Sequence, residues 1–523
     1  MNLSTATLGI ELGSTRIKAV LIDENHNPIA SGSYSWENRL VQGVWVYPLE
    51  QAVEGIRACY ADLRRDVQEK FGQELTRVAA IGISGMMHGY LVFDKDGRQL
   101  APFRTWRNTI TGPAATELTE LFQFNIPQRW SIAHLYQAIL NGEPHVKNIA
   151  SLCTLSTYIH RLLTGNTVVG VGEASGMFPY DQESGDFDAA RVAQFDQLIA
   201  DREFPWTLRQ ILPQVLPAGV NAGFLTPEGA ALLDETGTLE AGIPFCPPEG
   251  DAGTGMVATG AVMPRTGSVS AGTSAFAMLV LEHPLKGYYP EIDVITTPTG
   301  ATVAMAHTNT CTSEIDAWVK LIADAALVMG WPLDMNELYT NLFKAALDGK
   351  SDCDGIISFN YFAGEPLTAT EIGRPMVVRL PESKLSIRNF MRSQLYGAIA
   401  TLKLGVDLLV EKENVQTDKL LGHGGYFKTA EVGQQFLADA LETPISTMET
   451  AGEGGPWGMA ILAAYMVRQE EGETMEEYLK NKVFASAKSS TLAPTIEGIA
   501  GFRSYIQRYK AALQAEKAAA AMV

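Results

Sequence analysis

Two stretches of this chain, half its length apart, follow one plan. GIELGSTRIKAVL, from residue 9, and SVSAGTSAFAMLV, from residue 268, are each an alternating apolar run, a glycine-hydroxyl turn and a second apolar run. Alternation predicts a strand on either side of each turn, so both read as β-hairpins. Their recurrence at half-chain spacing predicts an internal duplication. At 523 residues the chain is too long for one hydrophobic core. The Pro/Gly-rich passage FCPPEGDAGTGM places the division, giving domains over 1–250 and 251–523.

The intervening patterns are mixed. Val53, Ile56, Tyr60, Leu63 and Val67 recur with a helical period, predicting a helix over 49–70, and a strand follows over 78–84. Residues 130–245 carry helical periods and loops with sparse strand signals, and read as additions to the first domain. Leu395, Ile399, Leu402, Val406 and Leu409 mark a long helix. KLLGHGGYFKTAEVGQQFLADAL is a strand, a glycine turn and a helix, and GEGGPWGMAILAAYM is a second passage into a helix, with Pro456 suited to a first helical position. The end, AEKAAAAMV, is predicted to be a fraying helical tail. The class is α/β.

The excess of 59 Asp+Glu over 40 Lys+Arg, a formal charge of −19, excludes general binding to nucleic acid or anionic membranes. An anionic ligand must therefore be held locally. Five scattered cysteines lack zinc or redox-dithiol spacing and read as free thiols of a reducing cytoplasm. The start, MNLSTATLGIEL, lacks a secretory pattern, and no run reaches membrane-spanning length.

The hairpins lack the lysine and following helix of a GxxxxGK[ST] loop, which excludes Walker-type binding. A tight turn can instead aim consecutive N–H groups at phosphate oxygens, with glycine allowing close approach and hydroxyls adding donors. Gly13, Ser14 and Thr15, and Gly272, Thr273 and Ser274, have that composition, and Lys18 adds a cation. Either turn alone would also serve as an ordinary hairpin.

At this point the sequence resembles the FGGY carbohydrate kinases of the sugar-kinase, actin and Hsp70-like superfamily. GIELGSTRIK resembles the first phosphate hairpin, EGDAGTGM the catalytic-aspartate turn and SAGTS the second phosphate hairpin. FAGEPLT with GRP resembles a GER-type segment, and GHGGYFK the adenosine-side turn. The resemblance implies two ribonuclease-H-like, actin-like ATPase domains, a duplicated core plus insertions, with a central cleft that closes to exclude water. It implies ATP and Mg²⁺ as cofactors, a small sugar as substrate, and a homodimer. SGMMHGYLVFD resembles the Met-His-Gly segment of the xylulokinase branch, and GVWVYP and RTWRN resemble family segments near the sugar, implying a ketopentose and, as the leading case, D-xylulose converted to D-xylulose 5-phosphate.

Carried onto this chain, the resemblance makes Asp251 the general base on the sugar hydroxyl. N-capping of the following helix is the other reading of that residue. It assigns Gly13, Ser14, Thr15, Lys18, Gly272, Thr273 and Ser274 to the phosphates and Gly424 and Gly425 to the adenosine side. Met87, His88, Trp106 and Asn108 go to the sugar, with Trp45 a weaker candidate. Glu11 stands where the family has aspartate and would hold Mg²⁺ through water. Asn108 likewise replaces an aspartate. Three alternatives stay open: a kinase of L-ribulose, L-xylulose or another ketose or polyol; a chaperone- or filament-like ATPase; and a sugar- or nucleotide-binding regulator without catalysis.

Overall fold

The computed structural model describes residues 2–448, 454–485 and 487–522. The chain forms two compact units. The first gathers Met1–Met263, Gly287–Val303 and Glu453–Ala487; the second gathers Pro264–Lys286, Ala304–Gly452 and Lys488–Val523.

Both predicted hairpins form. In the first unit β1 (Thr7–Leu12) runs antiparallel to β2 (Arg16–Ile22), while its other edge is parallel to the strand Ala80–Gly85, itself parallel to Pro244–Phe245. The second unit repeats this wiring. Thr266–Ala271 is antiparallel to Ala275–Val280 and parallel to Lys419–His423, which is parallel to Ile445–Met448. Duplication is thus visible as topology, and the class is α/β with a mixed sheet in each unit. The predicted helix over 49–70 spans Leu49–Phe71, and the later long helix spans Ile387–Glu413.

The helix Gly454–Arg468 packs within the first unit, against strands remote from it in sequence. A Cβ on Gly9 would lie 2.5 Å from the backbone nitrogen of Ala460, so the bare glycine of β1 lets strand and helix touch. The Thr7 hydroxyl seals the contact by donating to the Ala460 carbonyl at 3.0 Å. Pro456 is the third residue of this helix rather than the first; its missing N–H still falls among the donors that a first turn leaves unpaired.

The helix of the alanine-rich end runs Ile496–Ala520, anchored by Glu516, which is fully buried and accepts the Arg374 backbone N–H at 2.7 Å. No helix among the described residues is long and apolar enough to cross a membrane.

Candidate active site

Three parallel strands of the first unit end together. In register, Glu11 of β1 lies beside Ser84, and so does Glu249 of the short strand Glu249–Gly250. Carboxyl ends of parallel strands are where α/β sheets bind ligands. Asp251 follows directly as the first residue of the helix Asp251–Thr259, whose N-cap is Gly250. The capping reading of Asp251 therefore fails, and its carboxylate is left for other work. It remains exposed to solvent, yet crowding by the surrounding protein pushes its pKa up to about 6; backbone N–H groups of Met87 and Ala252 partly offset this. Glu11 is pushed further, to about 7, first by burial and then by repulsion from Asp251, with the Lys18 ammonium opposing. Lys18 stands directly across the hairpin from Glu11.

The first turn is anchored by its carbonyls. The Trp36 indole donates to the Gly13 carbonyl at 2.7 Å, Tyr47 donates its hydroxyl to the Ser14 carbonyl, and the Trp36 N–H reaches the Thr15 carbonyl at 3.2 Å. No described partner takes the N–H groups of Ser14 and Thr15. A turn with carbonyls pinned and N–H groups unclaimed suits an anion.

The second turn repeats this arrangement in its own unit. The Gly272 carbonyl accepts from the Thr312 N–H at 3.0 Å and its hydroxyl at 2.8 Å, and the Thr273 carbonyl accepts from Cys311 N–H at 2.7 Å. Behind this brace lies Glu365 of the GEPLT segment. Buried, it accepts the backbone N–H groups of Asn309 and Thr310 and the Thr310 hydroxyl. Gly424 and Gly425 are exposed at the end of the adjoining strand, with Gly424 beside Ala271.

His88 is buried with φ 69, a left-handed backbone uncommon outside glycine. Its Nδ1 pairs with the Gly176 carbonyl at 2.9 Å, which only an N–H can do, so Nε2 is left as an acceptor. Burial, reinforced by Arg129, lowers its pKa to about 3 and keeps the ring neutral. Met87, also buried, supplies its N–H to Asp251. Trp106 is 38% exposed. Asn108 is different: its oxygen accepts from the Trp45 N–H at 2.8 Å, and its amide donates to the carbonyls of Trp45 and Thr105. Its side chain holds the RTWRN loop against Trp45, over whose ring the Arg107 guanidinium lies at 4.1 Å.

Sequence reasoning missed two carboxyls. Glu249, buried, accepts the N–H groups of Gly172 and Glu173 at 3.2 and 2.9 Å, and burial still raises its pKa to about 7. Glu173 is fully enclosed, with neither oxygen in hydrogen-bonding geometry. Burial, then repulsion from Asp251 and Glu249, drives its pKa well up, against a smaller pull from the Thr154 hydroxyl. A glutamate at a short helix start carries no sequence signal of this. The folded state therefore retains a proton that the unfolded chain loses above a pKa of about 4.3. Stability then falls as pH rises from that value towards the raised folded pKa, by up to about 1.4 kcal/mol per pH unit. Glu173→Gln is expected to remove this slope. In melting curves the variant should gain on the wild type as pH rises above about 5; a constant gap would show that Glu173 is not protonated in the fold.

Comparison with known proteins accords with this geometry. The N-terminal domain of the FGGY family of carbohydrate kinases matches residues 6–258, and its C-terminal domain matches 267–467. The chain belongs to the FGGY family of carbohydrate kinases. An FGGY kinase is a phosphotransferase with an alcohol acceptor, and the family uses ATP. The xylulose kinase of Haemophilus influenzae is 22% identical over 96% of this chain and 98% of its own. Among solved structures, a xyloylose kinase from Brucella ovis is similar with a TM-score of 0.78 at 20% identity, covering 98% of this chain and 99% of its own. Plasmodium falciparum glycerol kinase with ADP matches this FGGY kinase with the same TM-score, 0.78, at 15% identity and 98% coverage of each chain. The fold is common to kinases named for different acceptors.

Proposed function

We propose that this FGGY kinase transfers the γ-phosphoryl group of ATP to a terminal hydroxyl of a ketopentose, with D-xylulose as the leading substrate. The observation that carries the reading is Asp251: a carboxylate freed from capping, at the ends of the parallel strands, with its pKa near 6. Ionised at neutral pH, it accepts the alcohol proton as the oxygen bonds to phosphorus, and ADP departs. Gly13, Ser14 and Thr15 in the first unit, with Lys18, and Gly272, Thr273 and Ser274 in the second, are proposed phosphate-binding groups acting chiefly through N–H donors. Gly424 and Gly425 are proposed to border the adenosine. Residues 1–250 would then carry sugar recognition and the first hairpin, and 251–523 the base, the second hairpin and the adenosine side.

Glu11 and Asp251 are oxygen donors whose charges repel, and a hard dication relieves that repulsion. Glu11 fits Mg²⁺, which needs only one or two protein carboxylates when phosphates and water complete its shell. When bound, the ion would neutralise charge on the transferring phosphates. Glu11 is proposed to hold it through water.

His88 Nε2 is proposed to accept a sugar hydroxyl, with Met87 and Trp106 beside it, and Asn108 to brace the loop behind Trp106. His88→Ala should raise the KM for sugar about tenfold or more, by removing a buried hydrogen bond, while the KM for ATP is little changed. An effect confined to ATP would remove His88 from the sugar site.

The decisive experiment is coupled ADP release across D-xylulose, L-ribulose, L-xylulose, glycerol and gluconate. The highest kcat/KM with D-xylulose is the expected result, and a higher value with another acceptor reassigns the substrate. ATP binding with no acceptor-stimulated turnover would favour the regulator reading. The five cysteines, all free and buried, accord with a proposed cytoplasmic setting.

A further inference from the structure

Glu11 and Gly455 stand far apart in sequence, yet one fills the space that the other leaves. Gly455 is the second residue of the helix Gly454–Arg468, packed on β1. A Cβ built on it would coincide with Oε2 of Glu11 and lie 2.6 Å from the carboxyl carbon and 3.1 Å from the Thr254 hydroxyl oxygen. The other oxygen, Oε1, lies 3.5 Å from the corresponding position on Gly13, the first residue of the phosphate turn. Thr254, one turn into the Asp251 helix, is itself 3.3 Å from the Ser84 hydroxyl. The Glu11 carboxylate is therefore lodged in a notch whose floor is the bare Cα of Gly455 and whose rim is the Asp251 helix and the first turn.

We propose that Gly455 is a positioning residue: its missing side chain seats the Glu11 carboxylate near Asp251, in the place from which Glu11 meets the divalent cation of the nucleotide. The inference rests on the kinase reading above and adds to it a second partner for Glu11. A methyl group at 455 would displace this carboxylate from the notch, because the end of the Glu11 side chain occupies the space the methyl would take. Shortening Glu11 to aspartate withdraws the carboxylate by one methylene and empties the notch. The cost of a side chain at 455 should consequently depend on which acid occupies position 11.

The test is a double-variant cycle of wild type, Gly455→Ala, Glu11→Asp and both together, in the full-length protein. Mn²⁺ binding in the presence of ADP is read by electron paramagnetic resonance, with melting temperature beside it. Gly455→Ala alone should weaken Mn²⁺ binding about tenfold or more, as loss of groups that orient a ligand does. In the Glu11→Asp background the same change should cost less than about twofold, and the melting temperature should show the same rescue. Equal losses in both backgrounds would mean that Gly455 acts through helix packing alone, which overturns the proposal. If Gly455→Ala does not fold, the double variant decides: folded and Mn²⁺-binding supports the pairing, unfolded overturns it. Wild-type protein that binds no Mn²⁺ with ADP would instead refute the metal reading, and the proposal with it.

Discussion

Asp251→Asn should lower turnover by at least about two orders of magnitude, the scale of general-base catalysis, while ATP and ADP bind as in the wild type. Asparagine keeps the size of the side chain and its place at the start of the helix, but it cannot take a proton from an alcohol. Because Asp251 contributes no cap, the substitution should cost little stability, so lost turnover reports chemistry rather than unfolding. The pH profile separates the two further. A carboxylate with pKa near 6 works as a base only when ionised, so wild-type kcat/KM should rise with pH and level off above about 6. Repulsion between Glu11 and Asp251 makes this acid limb a property of the pair. Turnover within a few-fold of wild type in the asparagine variant would remove Asp251 from the mechanism.

Gly424→Ala is the second substitution with a large expected effect, and it tests the proposed nucleotide side. Gly424 has φ 104 and ψ −176, a conformation essentially restricted to glycine. Its Cβ would also lie 2.5 Å from the carbonyl oxygen of Ala271, the residue before the second glycine turn. Backbone strain of about 1–3 kcal/mol is the minimum cost. Relieving the clash must shift either the 424–425 turn or the root of the hairpin. The expected result is a KM for ATP raised about tenfold or more, a melting temperature lowered by a few degrees, and a KM for sugar close to wild type. Unchanged ATP kinetics in a folded variant would detach this turn from the nucleotide.

Several features were legible from residues alone because their physics is local. Alternating apolar runs around Gly13 and Gly272 specify hairpins wherever they occur, and the helical period from Val53 to Val67 needs only one apolar face. The ordered motifs between Gly9 and Pro456 pointed to the FGGY kinases. Other features depend on a distant partner. The last helix is tied down where Glu516 accepts from the Arg374 backbone. The structure also adds that Asn108 grips the Trp45 backbone through its amide, a commitment its place in RTWRN does not reveal.

The sequence by itself determined the class, the duplication and the residue types a phosphoryl transfer needs, since turn chemistry and periodicity act over a few neighbouring residues. Only the tertiary structure decided which atoms of those residues are available. Folding brought Gly455 under Glu11, enclosed Glu173 away from solvent, and turned His88 so that Nδ1 donates and Nε2 accepts. Steric exclusion and desolvation depend on atoms brought together from remote parts of the chain, so no local pattern encodes them.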